Sequence, residues 1–371
     1  MTCEVFDILG RGDFKITTFD SHRSFTLGPV RHEAADIVLR EAGWTLFSYD
    51  FKTSKAVFLD IGTDCDLSKA PFCYLVQFER AKRQALISFE ALFALSEKLP
   101  VPENIMHLFN MGHCGSTLLH HVFNRVPEVW CISEPVCFVN MAMERATVDE
   151  ATMQNLACAG LRFLALCEGA ARAKLMIVKH FSQSTTQFET LHAATPQARC
   201  MFMYRDGKSW TNSLYHFAQK MGGTMIVDRE MRDFTWWIMS GNSSKHELDG
   251  VVDLDADVVT FDTLAAIAWA LHMRQYKEAI AAGVPMMAVR YNELSIDRVK
   301  TIARIFDYCG IRRAAIADTL DAFDADSQEG TRTARSIAVS HFNDENYARV
   351  IEVLANPRIA IDPNLILPDS Y

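Results

Sequence analysis

Residues 109–119 read FNMGHCGSTLL. An apolar run meets two glycines, then a serine and a threonine that open a helix-forming stretch. Gly112 and Gly115 permit positive φ and a close approach of backbone to ligand. Ser116 and Thr117 stand where a helix N-terminus turns its N–H groups and hydroxyls toward an anion. Phosphate or sulfate chemistry suits such a cradle. The nucleotide-triphosphatase loop GxxxxGK[ST] is not met, because the spacing is too short and the lysine is absent. His113 stands where a basic side chain is expected. A plain strand–turn–helix explains the glycines equally well.

Four more places carry chemistry-bearing residues at the end of an apolar run. Glu134 follows VWCIS, and Pro135 keeps it out of helical geometry. It is a candidate general base, or else a helix-capping acid. Lys179 ends LMIVK and His180 follows it. Lys179 could place positive charge on a transferring group. His180 is either a second base or a satisfied structural histidine. Arg205 follows CMFMY, and Ser213 comes eight positions later. An arginine there suits bidentate phosphate binding, or a structural pair with an aspartate. Tyr291 ends MMAVRY. It could stack on a base or simply fill a strand position.

These residues need a scaffold. The runs IMHLF (105–109), VWCIS (129–133), LMIVK (175–179), CMFMY (200–204) and MMAVRY (286–291) are almost continuously apolar. Strands buried on both faces of a parallel sheet read this way. Helical stretches follow them, among them STLLHHVFNRV, SWTNSLYHFAQK and IDRVKTIARIFDYCG. The pattern predicts an α/β domain with a parallel five-stranded central sheet flanked by helices. Ligands of such sheets bind beyond the C-terminal strand ends, where all five candidate positions fall. The helix TLAAIAWALHMRQYKEAI (263–280) is expected to lay one apolar face on the sheet.

The first hundred residues read differently. FKITTFD and WTLFSYDFKTSKAVFLDIG predict short strands, while His32–Gly43 and SFEALFALSEKLP predict helices. LPVPE (99–103) marks the boundary. The reading is an N-terminal α+β extension, residues 1–100, ahead of an α/β domain, residues 101–371. The extension could recognise a substrate, form a homodimer contact or cover a sheet edge.

Composition narrows the partners. The formal net charge of -9 argues against nucleic acid and anionic membranes as partners. No signal-peptide pattern opens the chain, and no run is long and apolar enough for a membrane span. Ten cysteines without a CxxC pair suggest free thiols in a cytoplasmic setting. His113, Cys114, His120 and His121 lie close together but do not have a zinc spacing, so no metal is expected.

The five strand ends, in this order, resemble those of sulfotransferases that use 3′-phosphoadenosine 5′-phosphosulfate (PAPS). The resemblance runs over roughly residues 104–335 and implies a P-loop-like fold. That family's first loop has a basic residue, a small residue, Gly, Ser or Thr, then Thr, and holds the 5′-phosphosulfate. Here Gly112 precedes His113-Cys114-Gly115-Ser116-Thr117. Arg205 and Ser213 match the arginine and serine, eight apart, that hold the 3′-phosphate. Glu134 in SEP resembles the base of one branch, and Lys179 the lysine that touches the sulfuryl group in another. Tyr291 resembles the adenine-side tyrosine. The segment DADSQEGTRTAR falls where the family closes a loop over the nucleotide, with Gly330, Arg332 and Arg335 as candidates for the 3′-phosphate. A polar surface loop is the other reading of it.

The resemblance implies transfer of a sulfuryl group from PAPS to a hydroxyl or amine of a small-molecule or glycan acceptor, with Glu134 as base. His113 is the departure, since lysine or arginine is the family's residue there. An imidazole of pKa near ~6.5 beside an anion is expected to favour its charged form. The alternative is a nucleotide-binding protein of this fold that no longer transfers.

Overall fold

Among the described residues, six strands occupy the first ninety positions. They are Thr2–Arg11 (β1), Phe25–Leu27 (β2), Arg31–Ala34 (β3), Trp44–Asp50 (β4), Lys55–Asp60 (β5) and Arg83–Ser88 (β6). The sheet order is β2-β1-β6-β5-β4, with β3 paired to β1, and every pairing is antiparallel. The short strands expected in WTLFSYDFKTSKAVFLDIG are β4 and β5, paired antiparallel, and SFEALFALSEKLP holds the helix Phe89–Ser96, capped by Ser88. Two expectations need correcting. His32–Ala34 is strand rather than helix because it pairs with Thr2–Glu4, and only Ile37–Arg40 turns helical. A neighbouring strand's hydrogen bonds outweigh a weak local helix preference. In FKITTFD, Phe14, Phe19 and Asp20 are not strand residues, and positions 15–18 lie outside the described residues.

The five apolar runs form the parallel sheet of an α/β fold. Ile105–Asn110 (β7), Val129–Ser133 (β8), Leu175–Lys179 (β9), Arg199–Tyr204 (β10) and Met286–Arg290 (β11) lie in the order β11-β10-β7-β9-β8. They are buried at nearly every position, as strands covered on both faces must be. His107, Asn110, Ser133 and Lys179 are the polar residues buried within them. Burying such groups costs free energy unless they find partners.

Two registers set the levels at which the candidate residues leave the strands. In the β8–β9 pair Ser133 lies opposite Lys179, and in the β10–β11 pair Tyr204 lies opposite Arg290. Glu134 and His180 therefore leave the sheet at one level, as do Arg205 and Tyr291.

The computed structural model describes residues 1–14, 19–220, 226–227, 259–324, 342–368 and 370. They fall into two compact units. One comprises residues 1–107, 120–181 and 189–199, the other 108–119, 182–188 and 200–371. In the first, the N-terminal sheet shares a core with helices that come after β8. Tyr49 donates its hydroxyl to the Leu156 carbonyl at 2.7 Å, and its backbone N–H to Asn140 Oδ1 at 3.1 Å.

In the second unit the helix Phe261–Ala281 is buried without interruption from Leu264 to Met273, so it is a core helix rather than a two-faced one. Its buried Asp262 is held by Arg349, at 2.8 Å, and by Asn346, at 2.9 Å, both from the helix Asp344–Leu354. Among the described residues no helix is long and apolar enough to cross a membrane.

Candidate active site

The glycine loop is wound by three positive φ angles, at Gly112 (73°), His113 (48°) and Gly115 (84°). Histidine tolerates the left-handed region better than most side chains. Gly115 could be nothing else. A Cβ there would also lie 2.5 Å from Cδ2 of Tyr291. Three side chains pin the loop. Asn110 Oδ1 accepts from the Gly112 N–H at 2.9 Å, Trp210 Nε1 donates to the Gly112 carbonyl at 2.8 Å, and Cys114 Sγ donates to the Met203 carbonyl at 3.3 Å.

The helix Ser116–Asn124 comes directly after the loop. The N–H groups of His113, Gly115, Ser116 and Thr117, and both hydroxyls, have no acceptor among the described residues. A helix start with unsatisfied donors favours an anion.

Arg205 belongs to the same unit. Its Nη1 donates to the His113 carbonyl at 3.4 Å, and its guanidinium carbon lies 4.6 Å from the centroid of the Tyr291 ring. Its own carbonyl accepts from Trp269 Nε1 at 2.8 Å. No described carboxylate pairs with it, and Nε is buried without a partner. Among the described residues Arg205 forms no pair with an aspartate: Asp206 instead accepts from Ser209, through the backbone N–H at 2.9 Å and the hydroxyl, at the start of the helix Gly207–Lys220. Ser213 sits half-buried two turns along that helix, with no side-chain hydrogen bond to a described residue.

Tyr291 opens the helix Tyr291–Ile296 instead of closing a strand. Its ring is already engaged, by Gly115 at its edge and Arg205 over its face.

His113 is half-buried, with its ring 4.9 Å from that of Phe217. Burial, and then the Arg205 charge, push its pKa down to about 4. In the ligand-free protein the ring is therefore neutral at neutral pH. Desolvation and a neighbouring cation both act against the proton.

The acid–base candidates lie in the first unit. Lys179 is fully buried at the end of β9. Its Nζ pairs with Glu134 Oε1 and donates to Ser133 Oγ at 3.2 Å. Register explains the pair, and the Glu134 N–H donates to the Lys179 carbonyl at 2.7 Å. Glu134 has a φ of 62°, so Pro135 does keep it out of the right-handed helix, but in a left-handed conformation. Such strain is found where surrounding structure over-determines a residue, often at functional sites. Burial pushes the Glu134 carboxyl above its ordinary range, and Lys179 opposes that shift.

His180 takes the structural alternative. It is fully buried, and its Nε2 meets His107 Nδ1 at 2.9 Å, while His107 Nε2 meets Thr195 Oγ1 at 3.0 Å. Burial drives its pKa well below the ordinary value. Gly330, Arg332 and Arg335 lie outside the described residues. Among the described residues no three His, Cys, Asp or Glu side chains gather as a metal site.

Sequence reasoning passed over Asn110, Trp210 and Trp269, which hold the loop and Arg205 by hydrogen bonds. Trp210 was within reach: it comes five positions after Arg205 in the same motif. It also passed over the C-terminal tail. The Pro363 carbonyl accepts from the Gly207 N–H at 2.7 Å, and the Tyr204 hydroxyl meets the Leu367 N–H at 3.1 Å and Ser370 Oγ at 2.8 Å. The tail thereby brackets Arg205 on both sides in sequence.

The family model described as "Sulfotransferase domain" matches residues 109–341. No curated protein matches the chain. Among solved structures it is similar to sulfotransferase STF9 from Mycobacterium avium, at 11% identity over 82% of this chain and 93% of that one, with a TM-score of 0.43. It is also similar to mouse sulfotransferase SULT7A1 complexed with PAP, at 14% identity over 71% of this chain and 88% of that one, with a TM-score of 0.40. The family match takes in the glycine loop, Glu134, Lys179, Arg205, Ser213 and Tyr291, and it spans more than half the sequence, so the protein belongs to the sulfotransferase family.

Proposed function

We propose that the protein transfers a sulfuryl group from PAPS to a hydroxyl or amine of an acceptor, with Glu134 as general base. One observation carries the reading: Arg205, without a carboxylate partner among the described residues, reaches the carbonyl of His113 in a loop where the N–H groups of His113, Gly115, Ser116 and Thr117 have no acceptor among those residues. A backbone-led and a guanidinium-led anion grip therefore adjoin within one compact unit. An adenosine bearing phosphates at both ends suits that pair of grips, and a nucleotide with a single anionic end would leave one unused.

PAPS would supply the activated sulfuryl group, leaving as the 3′,5′-bisphosphate. The chain's own residues divide the remaining tasks. The N–H groups and hydroxyls around Gly115, Ser116 and Thr117 bind the 5′ side, together with Gly112, His113 and Cys114. Arg205 and Ser213 bind the 3′-phosphate. Glu134 takes the acceptor's proton, and Lys179 orients that carboxylate and opposes the rise of its pKa. Sulfuryl transfer, like phosphoryl transfer, asks the protein mainly for positioning and charge stabilisation. In this reading no metal takes part, the partner is a small molecule or glycan, and residues 1–100 are an accessory region.

The His113 ring, neutral in the free protein, favours a second reading, a binding protein without transfer, because the loop position holds no permanent cation to balance the leaving phosphate. Labelled PAPS with a library of hydroxylated acceptors separates the two. Transfer to any acceptor supports the enzyme. Tight binding of adenosine 3′,5′-bisphosphate with no transfer supports the binding protein, and no binding at all removes both.

A further inference from the structure

The Lys179 ammonium has a third neighbour besides Glu134 and Ser133. The ring of Phe72 lies 5.7 Å from its nitrogen. Phe72 comes from the N-terminal region, outside the span of the family match. The segment that carries it is tied down just ahead of Phe72. Ser133 Oγ donates to the Pro71 carbonyl at 2.6 Å, and Asn124 Nδ2 donates to the Ser68 carbonyl at 2.7 Å. Phe72 is extended and directly precedes the helix Cys73–Arg80. Its placement beside the acid–base pair is thus fixed by hydrogen bonds of its neighbours.

Behind Phe72 the first unit is aromatic. Tyr74 lies 5.9 Å from Phe72, 5.2 Å from Phe181 and 4.9 Å from Phe14, and Phe181 lies 4.9 Å from Phe19. Tyr74, Phe181 and Phe19 are buried, while Phe72 and Phe14 remain half-exposed. The accessible aromatic surface is therefore next to Lys179 and Glu134, supported by a buried aromatic layer. Those two charges neutralise each other, which leaves little net charge to draw an ionic acceptor. Recognition there rests on flat apolar surface.

On the reading of Glu134 as base, we infer that the N-terminal region sets acceptor choice through Phe72, and that the acceptor is a neutral aromatic or apolar hydroxyl compound. A sugar would need several hydrogen-bonding partners, and an acidic glycan a cluster of cations. Among the described residues the groups around this pair are mostly rings, with the hydroxyls of Ser133 and Tyr74.

Equilibrium binding of three probes tests this: 2-naphthol, methyl β-D-glucoside and 2-naphthoate. The full-length chain should bind 2-naphthol at least about tenfold more tightly than either of the others, and Phe72→Ala should weaken 2-naphthol about tenfold, a single ring contact's worth. Phe72→Tyr, which keeps the ring, should restore it. Adenosine 3′,5′-bisphosphate affinity should stay the same in all three proteins, which also shows that the variants are folded. Equal binding of naphthol and glucoside, no binding of naphthol, or a Phe72→Ala protein that binds naphthol as the parent does would each overturn the inference. Failure of the sulfotransferase reading is a separate result: the parent protein would transfer no sulfuryl group from PAPS to any acceptor, whether or not it bound the bisphosphate.

Discussion

The guanidinium of Arg205 lies over the ring of Tyr291, 4.6 Å from its centroid, and the edge of that same ring abuts Gly115. One tyrosine thus sets the distance between the two proposed phosphate grips. The register of β10 on β11, with Tyr204 opposite Arg290, brings the two residues side by side.

Arg205→Ala should weaken adenosine 3′,5′-bisphosphate binding by roughly 1.5–3 kcal/mol, the range for a charge-assisted hydrogen bond. Arg205→Lys should recover little, since an ammonium neither stacks on a ring like a guanidinium nor binds phosphate with two parallel bonds. Tyr291→Phe should be close to neutral. Calorimetry decides; an alanine variant of unchanged affinity would remove Arg205 from the site.

Gly115→Ala combines two penalties. The backbone is left-handed there, which costs a non-glycine residue about 1–3 kcal/mol, and the new methyl would strike Tyr291. In a Tyr291→Ala background the steric part should disappear and the backbone part remain. Denaturant melts of the four proteins measure this coupling. Simple additivity would show that the ring does not confine the loop.

The acid limb of turnover should lie above the ordinary carboxylate range, because burial raises the Glu134 pKa and the proton returns at a higher pH. Lys179→Gln removes the opposing charge, so the limb should move further up. Glu134→Gln should abolish the limb and lower turnover by on the order of 10²–10⁴. Lys179→Gln also leaves a buried carboxylate unpaired, a loss of about 3–5 kcal/mol near neutral pH that shrinks as acid neutralises Glu134. A pH–rate profile that is the same with and without Lys179 would contradict this account.

His113 should take up a proton when the bisphosphate binds. Its pKa of about 4 leaves it neutral in the free protein, and an adjacent anion raises it. Affinity should then increase as the pH falls toward 5. Titrations in buffers of different ionisation enthalpy count the protons. The uptake specific to the protein should vanish in His113→Asn, a side chain that also accepts positive φ.

Truncation after Asp362 removes the Pro363 carbonyl from the Gly207 N–H and the Leu367 and Ser370 contacts from Tyr204. Since Arg205 lies between those two residues, its position should loosen. The shortened chain should lose preference for adenosine 3′,5′-bisphosphate over adenosine 5′-phosphate. A lower melting temperature with preference intact would reduce the tail to a structural role.

The sheet was legible in the sequence because strands buried on both faces leave continuous apolar runs, and their order along the chain reveals the α/β rhythm. The glycine loop and the arginine–serine spacing were legible because both are local. Charge state was not: His113 carries the same imidazole in any context, and only the fold sets it in burial beside Arg205, which lowers its proton affinity. Lys179 and Glu134 are 45 residues apart, and a strand register unreadable from local pattern brings them into an ion pair. Phe72 looked like one aromatic among many in a region with no motif. Its place against Lys179 comes from hydrogen bonds of Pro71 and Ser68 to residues far along the chain. Residue types and short spacings thus determined which groups could do chemistry. Long-range pairing and desolvation, which exist only in the folded chain, decided which of them meet and what charge they carry.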